Sequence, residues 1–328
     1  MRNWLVNLNR GLSVAPMMDC TDRHCRYFHR LLSEKVLVYS EMIVDRAILF
    51  GDRDRFLSFN PKEHPIAIQL GGSDPKLLSE ATKIAIDFGY DEVNLNVGCP
   101  SNKVNSGNFG AALMKNTDLV SECVESMVRV AGNIPISVKS RIGVDDQNPE
   151  ETLPQFISKV GDSGCKTFII HARKALLKGL SPKENRTVPP LNYSLVFEMQ
   201  KSFPNLEIIL NGGIRELSDV RRYRENHVVG VMIGREIYEN PTILLNADKE
   251  IFGQVGSVLN MKEAIEKMLD YCDNAIYAGF DLNRILRHLK GAFKGTRNSK
   301  RFKNILFDSD LSGLQKLRNI KNNLQTFN

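Results

Sequence analysis

Val93-Asn94-Leu95-Asn96-Val97-Gly98-Cys99-Pro100-Ser101 joins a strand pattern, a backbone break and a thiol in one short run. Val93, Leu95 and Val97 alternate with Asn94 and Asn96, the period of a short half-buried strand. Gly98 and Pro100 then end it, because the residue before a proline is pushed away from helical angles. Cys99 is thereby held at the strand's exit with polar neighbours. Taken alone, it is either a thiol that meets a ligand or a small hydrophobe at a turn.

The same strand signal recurs outward from this run, over Leu12 to Ala15, Val36 to Ser40, Ile66 to Leu70, Glu92 to Val97, Ile136 to Val138, Thr167 to Ile170, Glu207 to Leu210 and Val229 to Ile233. Amphipathic stretches such as Leu77 to Phe88, Leu119 to Val130 and Leu217 to Glu225 lie between. Strands alternating with helices imply βαβ units and a parallel sheet. Eight units over roughly 250 residues predict an α/β fold of the closed (β/α)8 TIM-barrel kind. No GxGxxG follows the first strand, so a dinucleotide-binding open sheet has little support.

The residues leaving these runs are Pro16-Met17-Met18, Glu41, Gln69, Asn96 with Cys99, Lys139, His171, Asn211-Gly212-Gly213 and Gly234-Arg235. Any one of them has a bland explanation as a loop cap. In register on eight strands they would meet at the C-terminal mouth of the barrel, where such folds build their sites. The last two exits suit a phosphate: glycines let backbone N–H groups approach its oxygens, and Arg235 adds a cationic fork. They are equally readable as two tight turns. Lys139 ends an otherwise apolar strand and could hold an electron-rich ring or form a Schiff base. His171 is either a ligand contact or a satisfied structural histidine. Asn102 to Met114 is glycine- and serine-bearing, so it reads as a hinged loop or a plain connection.

The chain has 328 residues, 42% hydrophobic and 25% charged, an ordinary globular composition. No run approaches the ~20 apolar residues of a membrane span, and the N-terminus lacks a signal-peptide core. The cysteines are scattered without a CxxC pair, which points to a reducing cytoplasm and away from disulfides or a zinc site. Net charge is +6, yet Arg284, Arg287, Lys290, Lys294, Arg297, Lys300, Arg301 and Lys303 fall in one acid-free segment. The basic character is therefore local, as expected of a surface for a polyanion. Helical spacing over Met261 to Ile276 and from Ile285 to Phe293, with a final helix over Asp310 to Gln325, predicts a small C-terminal helical domain with Gly295 to Lys303 as a basic loop. The expected division is a barrel over 1–247 and the helical domain over 258–328, joined by a linker containing Gly253 and Gly256.

Ala15-Pro16-Met17-Met18-Asp19, Gln69-Leu70-Gly71-Gly72, Asn94 to Ser101 with Ser106 to Ala111, Val138-Lys139, His171-Ala172-Arg173, Asn211-Gly212-Gly213 and Gly234-Arg235 together resemble the tRNA dihydrouridine synthases. Ser181 to Arg186 and Gly295 to Arg301 are most similar to the subgroup acting at tRNA positions 20 and 20a, although Asn108, Ser140 and Ser299 depart from its usual residues. The resemblance implies a barrel that binds FMN, NADPH as reductant, and tRNA as substrate, handled by a tRNA-binding helical domain. It implies no metal, no membrane and no obligate protein partner. It places FMN against Pro16, Met17, Met18, Gln69, Lys139, His171, Asn211, Gly212, Gly213, Gly234 and Arg235. It makes Cys99 the general acid, a role suited to a thiol whose ordinary pKa is about 8.5. Asn96, Lys183, Arg186, Arg297 and Lys300 become the tRNA contacts. Three rival readings are a flavin barrel acting on a free pyrimidine, a Schiff-base aldolase built on Lys139, and an RNA-binding protein without catalysis.

Overall fold

The structure, a computed structural model, describes residues 8–101, 107–254 and 259–326. Eight strands close a barrel: β1 (Leu12–Val14), β2 (Leu37–Val44), β3 (Ile66–Gly71), β4 (Glu92–Val97), β5 (Ile136–Arg141), β6 (Thr167–His171), β7 (Glu207–Asn211) and β8 (Gly230–Ile233). Each pairs in parallel with its sequence neighbours, and β1 closes on β8 through Leu12↔Val231 and Ser13↔Met232. The TIM barrel expected from the run of strands is the observed fold.

Outside the strands lie α1 (Arg23–Leu32), α2 (Asp45–Phe50), α3 (Arg53–Leu57), α4 (Pro75–Asp87), α5 (Thr117–Ala131), α6 (Pro149–Asp162), α7 (Tyr193–Ser202), α8 (Leu217–Asn226), α9 (Arg235–Glu239) and α10 (Ala247–Phe252). Their starts are written in the sequence. Asp74 before Pro75 and Asn148 before Pro149 accept hydrogen bonds from the first free N–H groups, while proline occupies the position that needs no donor.

The outward side chains of the strands, such as Val93, Leu95 and Val97, join the helices in the main core. A second, smaller core of Leu37, Tyr39, Ala67, Ile169, Ile209 and Met232 lies among inward-facing positions of the barrel. The alternation in β4 therefore has a different meaning from a half-buried strand, since every residue of β4 is buried. Its polar residues line the barrel's lumen, where water is replaced by other side chains. For the same reason β2 and β5 run on past the first polar residue, to Val44 and Arg141.

The C-terminal helices are α11 (Met261–Tyr277), α12 (Leu282–Leu286), α13 (Ser299–Phe307) and α14 (Gly313–Asn323). Capping boxes at Asn260/Glu263 and Ser312/Gln315 open the first and last. Tyr27 of α1 stacks on Tyr271 at 4.4 Å, and His24 Nδ1 lies 2.7 Å from the Tyr271 hydroxyl. The expected continuous helix over Ile285 to Phe293 is instead split, with a 3-10 turn over Arg287–Gly291. A side chain at Gly291 would collide with Pro241 and the Glu239 carbonyl, so backbone sits directly on the barrel there. Gly295 to Lys303 is likewise not one loop. Its second half is the start of α13, because Phe302 and Leu306 fall on one helical face and Phe302 packs on Phe293 at 4.7 Å. Of the expected hinged loop and linker, residues 102–106, including Ser106, and Gly256 lie outside the described residues.

No helix among the described residues is long and apolar enough to cross a membrane. Nor does any group of three metal-ligating side chains come together there.

Candidate active site

Strand register brings the predicted exits together at one end of the barrel. Gln69 pairs with Asn94, Asn96 with Lys139, and His171 with both Arg141 and Asn211. Lys139 Nζ donates to Asn211 Oδ1 at 2.9 Å, and Asn211 Nδ2 donates to the Met232 carbonyl at 2.8 Å. Asn96 Nδ2 donates to Gln69 Oε1 at 2.7 Å. The Asn96 side-chain oxygen Oδ1 accepts from the backbone N–H groups of Gly98 and Cys99 at 3.2 and 3.0 Å, which holds the backbone of the half-buried Cys99 at the lip. Gly234 lies against Met17, linking the last exit to the first, and Met18 is exposed on the rim.

Charge at this mouth is lopsided. Burial, with Arg141 alongside, pulls the Lys139 ammonium down to about 7. Burial and the same cations hold His171 well below the usual histidine range, so its imidazole is neutral at neutral pH. His171 Nδ1 is buried without a hydrogen-bond partner among the described residues, as are Arg173 Nε and Ser140 Oγ. Gly212 has φ +115°, and a side chain there would press on the His171 ring at 3.1 Å. Backbone and imidazole thus form a close-walled cradle that only glycine permits. A cradle with orphaned nitrogens beside a buried lysine fits a planar group that carries hydrogen-bond acceptors, as a flavin ring does.

Arg141 is a site residue that the strand exits read from the sequence do not include. It ends β5 two residues after Lys139, so the period of two puts both on one face, and that was the signal available. Its Nε donates to the Gly98 carbonyl at 3.1 Å and its Nη1 to the carbonyls of Lys174 and Asn185 at 3.2 and 3.0 Å. One buried guanidinium therefore ties the cysteine loop to the loop carrying Lys183 and Arg186. Arg186 is exposed, with its carbonyl 3.4 Å from Arg235 Nη2. Lys183 is exposed beside it.

The basic C-terminal segment divides in two. Arg287 pairs with Asp22 at 3.1 Å, Lys290 with Glu239 at 2.6 Å and Lys294 with Glu236 at 2.9 Å. The acids missing from the segment are on the barrel, and these cations dock the helices. Among the described residues no carboxylate pairs with Arg284, Arg297, Lys300 or Lys303. Arg297 and Lys300 follow shortly after the Lys294–Glu236 bridge, and among the described residues no hydrogen bond or ion pair joins either of them to the residues of the mouth.

A family model described as Dihydrouridine synthase (Dus) matches residues 13–327. The chain belongs to the dihydrouridine synthase family. It is thus an enzyme of the oxidoreductase class, as the resemblance in its motifs implied. It is 50% identical over 300 residues to a tRNA-dihydrouridine(20/20a) synthase of Synechocystis, covering 92% of this chain and 89% of that one. A protein of the same description from Vibrio cholerae is 49% identical, with 89% of both chains covered. One from Escherichia coli is 48% identical, covering 93% of this chain and 88% of the other. Among solved structures, morphinone reductase superposes with a TM-score of 0.54 at 13% identity, over 76% of this chain and 88% of that one. The crystal structure of TcOYE with pHBA gives 0.54 at 12%, over 75% and 92%. These two likenesses concern the barrel alone.

Proposed function

We propose that this protein reduces uridine to 5,6-dihydrouridine in the D-loop of tRNA, at positions 20 and 20a, holding FMN and using NADPH as reductant. The reading is carried by one juxtaposition: the Lys139–Asn211 pair, the unpartnered His171 nitrogen and the Gln69–Asn96–Cys99 chain share one barrel mouth. The names of the relatives supply the substrate and its position.

Gly212, Gly213, Gly234 and Arg235 would hold the phosphate, with Asn211 between them and Lys139. Pro16, Met17 and Met18 would support the ring, with Gln69, Lys139 and His171 at its polar edge. When bound and reduced, FMN would supply a hydride to C6 of the uracil. Cys99 delivers the matching proton to C5, so that the 5,6 double bond is saturated and no group leaves. Asn96 orients the base and, through its carbonyl oxygen, the thiol itself. A D-loop base must be turned out of its stack to reach this mouth, at a cost of a few kcal/mol. Lys183 and Arg186 on the rim, with Arg297 and Lys300 beyond it, would contact the tRNA backbone. In this reading residues 1–247 form the catalytic barrel and 258–328 the tRNA-binding unit.

The test is to incubate purified protein with unmodified tRNA, FMN and NADPH and to map dihydrouridine along the strand. Product at positions 20 and 20a is expected. Reduction of free uridine at a rate equal to that of tRNA would point instead to a small-molecule enzyme.

A further inference from the structure

The lumen of the barrel holds a chain of polar side chains that no catalytic role above requires. At its base, the Glu92 carboxylate accepts from Arg10 Nη2 at 2.6 Å, from Arg10 Nε at 3.1 Å and from the Tyr39 hydroxyl at 2.6 Å. The Ser137 hydroxyl also donates to Glu92. Asn94 Nδ2 donates to Ser137 Oγ at 2.7 Å, and Gln69 Nε2 donates to Asn94 Oδ1 at 2.7 Å. From there the Gln69–Asn96–Cys99 links reach the mouth. Glu92, Asn94 and Ser137 are completely buried.

The chain runs one way. An ionised carboxylate only accepts, so Ser137 must give it its single proton and take one from Asn94. Asn94 must then turn its carbonyl to Gln69, and Gln69 must turn its carbonyl to Asn96. Asn96 is left with its carbonyl facing the amides of the cysteine loop. An isolated side-chain amide can flip end for end at little cost, whereas three amides tied to an anion have one consistent setting. We propose that Glu92, Ser137 and Asn94 are positioning residues: they set which end of the Gln69 amide faces the bound flavin and how Asn96 holds the Cys99 loop. Gln69 then keeps one N–H, a donor, that the chain does not use. This rests on the flavin reading for Gln69, but not for the loop.

Ser137→Ala removes the one link that transmits the orientation while changing little volume. The first measurement is a flavin titration of the apoprotein with visible spectra. The dissociation constant should weaken about fivefold, the worth of one neutral hydrogen bond, with a shifted flavin absorption band, and Ser137→Thr should restore both. The second measurement is the rate at which iodoacetamide alkylates Cys99 in the apoprotein, read from the Cys99 peptide by mass spectrometry. It should change at least about threefold in Ser137→Ala and return in Ser137→Thr. It needs no flavin, so a failure of the relay is separable from a failure of the flavin assignment. Should Ser137→Ala not fold, Asn94→Leu interrupts the chain at the next link and is judged by the same two readouts. A parental flavin spectrum and parental Cys99 alkylation rate in the interrupted variant would overturn the proposal. So would Ser137→Thr being as impaired as Ser137→Ala, since the site would then be responding to packing alone.

Discussion

Lys139 offers the sharpest test of the site's electrostatics. Its ammonium sits near pKa 7 because burial and Arg141 disfavour the charge before any anion arrives. If the ligand binds only the charged form, the apparent dissociation constant should scale as one plus ten raised to the pH minus 7. Binding should therefore be nearly flat below pH 6 and weaken ~16-fold between pH 7 and pH 8.5, with uptake of roughly half a proton per flavin at pH 7. Titration of apoprotein with FMN across pH 6 to 9, followed by fluorescence quenching, reads this directly. Lys139→Met should bind more weakly and lose the slope. The same substitution should stabilise the apoprotein. A lysine with a depressed folded pKa makes the unfolded chain bind more protons between pH 7 and 10.5, so stability rises with pH across that window. Removing the penalty at neutral pH should add ~2 kcal/mol, after discounting for the opening of the mouth to water. An unchanged pH slope in Lys139→Met would refute the reasoning, as would flat binding in the parent.

Further outcomes are expected elsewhere. Arg141→Met frees the Gly98 carbonyl and should lower turnover by about 10- to 100-fold with flavin retained, measured under saturating tRNA. Arg297→Ala with Lys300→Ala should weaken tRNA binding and flatten its salt dependence by about one to two units of log–log slope, measured by filter binding at several salt concentrations. Acid should loosen the junction of α1 with the C-terminal helices. Burial holds His24 near pKa 4, so stability present above pH ~6.5 is lost as the pH falls toward 4, by about 2 kcal/mol; thermal melts of the parent and of His24→Gln should differ in slope only within that window.

The barrel was legible because most strands are apolar runs of ordinary length and several helices open on a recognisable cap, as at Asp74-Pro75 and Asn148-Pro149. The mouth was legible because a residue's place at a strand's end needs only the strand to be found. Two things were hidden. Alternation in β4 shows that two faces differ, but Glu92, Asn94 and Asn96 look the same in sequence whether they face water or a polar lumen. Arg141 is hidden because the apolar run of its strand ends at Val138, before the polar residues that the lumen accommodates. The basic segment was hidden differently. Its partners Asp22, Glu236 and Glu239 are distant in sequence, so docking cations and free ones read alike until the chain is folded. Local patterns reveal elements, whereas long-range pairing is settled only by packing.

The central claim is that one mouth holds a flavin and presents Cys99 as the proton donor to a uridine. Rapid mixing of flavin-loaded Cys99→Ala separates the two halves of that claim. NADPH should bleach the flavin at the parental rate, while reoxidation by tRNA under anaerobic conditions should slow by at least about a hundredfold. Parental reoxidation in Cys99→Ala, with dihydrouridine formed, would contradict the account.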